Sequence, residues 1–291
     1  VTSLLADQWE WWIEPFLDNP FMRNALWASL LTVIATSVVG TWVVLRGLAF
    51  LGDALAHGVL PGIAIAFIIG ANTGLGAFLA AIAMVLGISF IRSQSPLPED
   101  TSIGILFVGF LALAVVIMSS QRGAYFGDLS RFLFGSVSSA TPASIGRQLI
   151  AAAVVVGASI LFFRAFLAMT FDEIGAKMLR LHPRIANLGL LVLLAIAIVA
   201  SFETVGSLLV MAFLIAPPAA ASLLARRVPA MMLLAIGLGG VAAVIGILVS
   251  YHHRTATGAT MALATVVLFF VVLIGRNLTQ TIRQFNLRRT A

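Results

Sequence analysis

Runs of about twenty apolar residues recur along the whole chain, near positions 26–45, 50–70, 74–91, 103–120, 144–163, 187–203, 205–224, 230–250 and 259–275. A bilayer core of ~30 Å takes about twenty helical residues to cross. Backbone groups in lipid must pair within their own segment, so runs of this length read as transmembrane helices. The sixth and seventh runs meet so closely that they can form one broken unit, which gives eight or nine crossings. The fold expected is an all-α polytopic membrane protein, a helical bundle. Composition agrees: 61% of residues are hydrophobic and only 10% are charged, against about a quarter charged in soluble domains.

Nine crossings place the two ends on opposite sides of the membrane. With the C-terminus inside, the inner segments hold Arg46, Arg92, Arg164, Lys177, Arg180, Arg184, Arg226, Arg227, Arg276, Arg283, Arg288 and Arg289. The outer ones hold Arg23, Arg122, Arg131, Arg147 and Arg254. Twelve cations against five orient the chain with its N-terminus out and its C-terminus in. The net charge of +6 is therefore a property of loop anchors and not of a nucleic-acid surface. Cysteine is absent, which excludes disulfides, thiolate metal sites and iron–sulfur clusters.

Three regions follow. Residues 1–24 carry Trp9, Trp11, Trp12, Phe16 and Phe21 among Asp7, Glu10, Glu14 and Asp18. That is the wrong charge for a secretory signal and reads as an amphipathic helix lying on the bilayer surface, with a disordered lead-in as the alternative. Residues 25–275 form the membrane domain, and 276–291 a basic cytoplasmic tail. Residues 121–143, punctuated by Gly123, Gly127, Gly135 and Pro142, read as a half-helix dipping into an outer vestibule. Asp100 or Thr101 is expected to cap the fourth span. Pro217-Pro218 remove two backbone donors and are expected to break the seventh.

The chemistry concentrates in Arg46–Gly70. Asp53 and His57 are four residues apart, one turn along a common helix face. At ~1.5 Å per residue, His57 lies roughly 16 Å beyond Arg46, near the middle of the bilayer. Ionisable groups at that depth are expensive and mark a functional site by default; the bland alternative is a local hydrogen bond that stabilises a helix crossing. Carboxylate plus imidazole suits a divalent first-row metal such as Zn(II) or Mn(II). Two ligands are too few for one chain, and a symmetric dimer would supply four. Gly58-x-x-x-Gly62, with Pro61 between, allows this helix to bend and pack tightly beside the pair. No permanently bound cofactor is called for.

Other polar residues carry less. Glu203, between spans six and seven, is either an attractor for entering cations or a solvated loop end. His252-His253, before span nine, are either metal contacts at an outer entry or gate or, by default, a solvated outer loop. Among inner segments, 164–187 is the largest; Thr170 with Glu173 reads as a capping box, followed by a short amphipathic helix closed by Pro183. No phosphate-binding G-x-x-x-x-G-K-[ST] loop, G-x-S-x-G or H-E-x-x-H occurs, so the chain is not expected to bind ATP by a P-loop or to act as an enzyme itself.

The run R-G-L-A-F-L-G-D-A-L-A-H-G-V-L-P-G joins E-D-T-S-I-G-I-L-F-V, D-L-S-R-F-L-F-G, F-D-E, T-V-G-S-L-L-V-x-A-F-L-I-A-P-x-A-x-A and S-Y-x-x-x-T-A-T-G-A-T, in that order over about 45–275. Together they resemble the membrane permease subunits of zinc/manganese-type bacterial ABC importers, the metal-ion ABC-3 family. The resemblance implies a type II importer bundle, similar to those for vitamin B12 and siderophores, in the bacterial cytoplasmic membrane. It implies a homodimer of permeases, two cytoplasmic ATPase subunits and an extracytoplasmic metal-binding protein. It places Asp53 and His57 in the ion path and identifies 171–183 as the coupling helix, with Asp172, Glu173, Lys177 and Arg180 facing the ATPase. Glu203, Arg180 and His252-His253 depart from the family's usual residues. Two other readings share the scaffold's apolar character: a permease for a siderophore or cobalamin, and an ion-coupled secondary transporter that uses Asp53, His57 and Glu203 as a relay.

Overall fold

A computed structural model describes residues 11–119, 140–172, Gly175 and 183–289. Over these residues the chain forms α1 (Glu14–Asp18), α2 (Pro20–Leu45), α3 (Ala49–Gly58), α4 (Leu60–Ile68), α5 (Thr73–Gln94), α6 (Glu99–Ser119), α7 (Pro142–Leu161), α8 (Phe163–Phe171), α9 (Pro183–Val205), α10 (Ser207–Leu224), α11 (Val228–His253) and α12 (Thr257–Arg289). Among the described residues nine stretches are long and apolar enough to cross a membrane, α3 and α4 counting as one. The all-helical bundle expected from the apolar runs is the fold observed. The segments 1–10, 120–139, 173–174 and 176–182 lie outside the described residues, and with them the outer half-helix expected within 121–143.

α2 is the axis. It is apolar on every side, as a helix surrounded by others must be, and it packs against α7, α9, α10 and α11. Its start at Pro20 puts the 24/25 boundary inside a spanning helix, and α12 carries helix from the ninth span to Arg289, across the 275/276 boundary. On one flank α3, α4, α5 and α6 form a second group, tied to α2 largely through α9. On the other, α10, α11 and α12 pack together. α6 and α12 bury the least surface and face outward.

Local chemistry sets the ends. The Asn72 side chain accepts from the Leu75 N–H at 3.0 Å to start α5. Thr141 and Ser144 form a capping box ahead of α7, with Pro142 in the first turn. α6 starts at Glu99, two or three residues earlier than a cap at Asp100 or Thr101 requires; the Pro98 carbonyl accepts from the N–H groups of Thr101 and Ser102 at 3.1 and 3.3 Å. Thr170 is not at a helix start: it lies inside α8 and donates to the Phe166 carbonyl at 2.7 Å, while Asp172 accepts from the Gly175 N–H at 2.8 Å. Glu173, the other half of the expected capping box, lies outside the described residues. Gly206, at φ 80°, is the single residue between α9 and α10, so the sixth and seventh spans are separate helices.

The two proline sites behave differently. Pro61 sits in the first turn of α4, and α3 and α4 meet at Val59, whose backbone stays helical (φ −77°, ψ −19°) and bonds to Leu55 and Ile63 on either side. Pro217 and Pro218, expected to break a helix, are buried inside a continuous α10. Pro218 supplies no N–H for the Leu214 carbonyl one turn back. That carbonyl projects at Gly40 of α2, where an added Cβ would stand 2.1 Å from the oxygen. A bare glycine surface accommodates it, and the helix continues.

Candidate metal path

The backbone places the Asp53/His57 pair through four glycines. On the buried side of α3, a Cβ on Gly52 would lie 2.4 Å from a Leu214 methyl, and one on Gly58 would lie 2.1 Å from the Met84 sulfur. Past Val59, Gly62 of α4 and Gly76 of α5 meet backbone to backbone: a Cβ on either would fall 2.0 to 2.3 Å from the other's carbonyl oxygen. The close packing expected of Gly58-x-x-x-Gly62 is thus present on both sides of Val59. With its small residues turned inward, α3 presents Phe50, Asp53 and His57 along the opposite stripe.

His57 Nε2 and Asp53 Oδ1 are 3.5 Å apart, as the four-residue spacing requires. The two side chains are 25% and 43% exposed, respectively, in the single chain. The His57 ring meets Phe107 of α6 edge-on at 5.9 Å, and Phe107 in turn meets Phe50 at 5.7 Å. An aromatic wall therefore closes one side of the pair and leaves the other open. Residues 46–48 form a corner and not helix, yet His57 still falls close to the middle of the 20-residue span Ala49–Ile68. A carboxylate open to its surroundings at that depth cannot rest against lipid tails without a large penalty. The open side calls for water, an ion or another protein surface.

No group of three or more His, Cys, Asp or Glu side chains gathers around a common point among the described residues. The other expected residues stand apart from the pair. His252 and His253 occupy the last turn of α11 and not a loop. The His252 ring stacks on Trp11 at 4.4 Å and 9°, and its Nε2 lies 3.2 Å from the Trp11 carbonyl oxygen. His253 is exposed. Glu203 falls in the last turn of α9, with its side chain outside the described residues. Asp172 is exposed beyond α8, and Glu173, Lys177 and Arg180 lie outside the described residues. An apolar groove of about 520 Å³, lined by Phe162, Phe166, Ile185 and Leu193 among others, offers no ligand for an ion.

A polar cluster that motif reading missed lies in the protein interior. Gln148 of α7 donates from Nε2 to Thr32 Oγ1 of α2 and accepts from Thr204 Oγ1 of α9 at 3.4 Å. All three are buried. The available signal was weak, since Gln148 directly follows Arg147 at the polar start of its span and so looks like a membrane-edge residue.

Residues 18–276 match the model of the ABC 3 transport family. The manganese transport system membrane protein MntC of Listeria monocytogenes is 36% identical over 262 residues, covering 90% of this chain and 93% of that protein. A probable iron transport system membrane protein of Haemophilus influenzae is 33% identical, covering 91% and 96%. Among solved structures, PsaBC from Streptococcus pneumoniae in complex with Fab superposes with a TM-score of 0.79 at 30% identity, covering 90% of this chain and 94% of that one.

Proposed function

Because this chain belongs to the ABC 3 transport family, we propose that it is the multi-pass permease subunit of a bacterial ATP-driven importer for divalent metal ions. Mn(II) is the cargo favoured here. The observation that carries the reading is the half-open Asp53/His57 pair near mid-span on a helix whose remaining faces are sealed by glycine contacts. One carboxylate oxygen and one imidazole nitrogen hold an ion too weakly to trap it. A second permease copy facing the first would complete a set of two carboxylates and two imidazoles, with water filling the remaining positions.

In this reading Asp53 supplies the charge that offsets dehydration of the ion, and His57 supplies the softer donor. Phe107 restricts the side from which the imidazole can be approached. The N-terminus faces out and the C-terminus in. ATP is hydrolysed by two separate cytoplasmic subunits, which meet the segment 171–183 through Asp172, Glu173, Lys177 and Arg180. An extracytoplasmic binding protein delivers the ion. Fe(II) is the second reading for the cargo, favoured by the name of the Haemophilus relative; Zn(II), which the donor set also suits, has no such support among the relatives described above. The test is uptake of labelled Mn(II), with Fe(II) and Zn(II) as competitors, into vesicles holding the complete assembly. Uptake that requires ATP and is lost in Asp53→Ala supports the reading. Normal uptake in that variant removes the site.

A further inference from the structure

The apolar groove set aside above has a floor and a mouth of different chemistry. It runs between the α7–α8 junction and the start of α9, encloses about 520 Å³, and is lined by apolar side chains and Gly189. α7 and α9 are antiparallel: Gln148 meets Thr204 at one end, and Phe162 and Phe166 share the groove with Ile185 at the other. The deep end, at Ala158 and Leu193, lies inside the spanning stretches; the shallow end, at Phe166 and Ile185, lies where those stretches finish. Its rim faces outward, with Ile160, Leu161 and Ile185 at 72, 76 and 66% exposure.

Two arginines flank the shallow end. Arg164 follows Phe162 by two residues, Arg184 directly precedes Ile185, and both are exposed. No hydrogen bond or ion pair engages either of them among the described residues. Arg46 differs, since its guanidinium donates to the Asn187 side chain one turn into α9. Neither Arg164 nor Arg184 lines the floor. An arginine stem can lie along an apolar flank while its charged head reaches the headgroup layer. The one acid among the described residues from 158 to 193 is Asp172, at the far end of α8, where it accepts from the Gly175 N–H. The mouth is therefore positively charged over an apolar floor.

An apolar groove alone takes any lipid tail, and a surface arginine alone takes any anion. Set end to end, the two match a molecule with hydrocarbon at one end and negative charge at the other. Basic clefts between spanning helices on the cytoplasmic side suit anionic headgroups, and the guanidinium fork matches phosphate oxygens. We propose that this groove is a binding site for an anionic phospholipid of the inner leaflet, with an acyl chain between Phe162 and Leu193 and the phosphate held by Arg164 and Arg184. The leaflet follows from the orientation proposed above. No residue of α3 lines the groove, so the site does not depend on the metal reading.

The test places the full chain in nanodiscs of equimolar phosphatidylglycerol and phosphatidylethanolamine and counts, by native mass spectrometry, the lipids kept on release. The unaltered chain should keep phosphatidylglycerol in preference. Arg164→Gln with Arg184→Gln should lower that preference about thirtyfold, the factor expected for two guanidiniums near an anionic surface, and Arg164→Lys with Arg184→Lys should retain most of it. Gly189→Leu probes the floor. A Cβ there meets nothing within 4 Å, so the side chain fills the groove without moving the backbone, and retained lipid of both kinds should fall. A chain with no preference, a preference that survives the paired glutamine substitutions, or unchanged retention in Gly189→Leu would overturn the site. So would paired glutamine substitutions that leave lipid retention intact and instead release the ATPase subunits from the complete assembly, which would make this face a protein contact.

Discussion

Two of the spanning helices, α2 and α3, handle their polar groups in opposite ways. In α2, the hydroxyls of Ser29, Thr32, Thr36 and Thr41 are fully buried, and each donates to the carbonyl four residues back at 2.7 to 2.9 Å. They are satisfied by their own helix. In α3, Asp53 and His57 are half-exposed and lie 3.5 Å from each other. A hydroxyl that bonds its own backbone can be enclosed at little cost. A carboxylate can be neither satisfied by one imidazole nor left to lipid. Depth in the membrane is therefore a poor marker of function by itself; what separates these four hydroxyls from the acid–imidazole pair is whether the polar group's demand is met locally.

Substitutions sharpen or break that contrast. Asp53→Asn removes a full charge from a low-dielectric position, and ion uptake should fall about a hundredfold, with the melting temperature of the purified chain unchanged. A melting temperature that collapses with uptake would make Asp53 a structural residue like the hydroxyls of α2. Gly62→Val should act in the reverse sense. Its Cβ would press on the Gly76 carbonyl, destabilising the bundle by about 1–3 kcal/mol, visible as a lower melting temperature, with uptake lost only in proportion to folded protein. Gln148→Leu leaves Thr32 and Thr204 bonded to their own helices and should cost about 1 kcal/mol of stability, with uptake per folded molecule preserved. Thr36→Val should fall within about 0.5 kcal/mol in a denaturation curve and leave uptake unaltered. Should either of the last two variants abolish uptake in a stable protein, the enclosed polar row of α2 belongs to the ion path, and local satisfaction is not the criterion.

The helices were legible because length and apolarity are local: every expected span has a helix on it, with ends shifted by up to six residues except in α12, which runs on to Arg289. The Asp53/His57 spacing and the glycine packing around it were legible for the same reason, since a four-residue repeat fixes a face. What failed to read depended on neighbours. Pro217-Pro218 look like a break until Gly40 of α2 is seen opposite the freed carbonyl. Thr170 looks like a cap until α8 is seen to continue through it. His252-His253 look like candidate ligands until Trp11, more than two hundred residues away in sequence, is found stacked on the first of them.

The open side of the acid–imidazole pair has a consequence for the cell that makes this protein. In the reading proposed above, a solitary copy holds only half of the donor set, so newly inserted polypeptide can wait in the bilayer without dissipating ion gradients, and the act of pairing both builds the conduit and arms it.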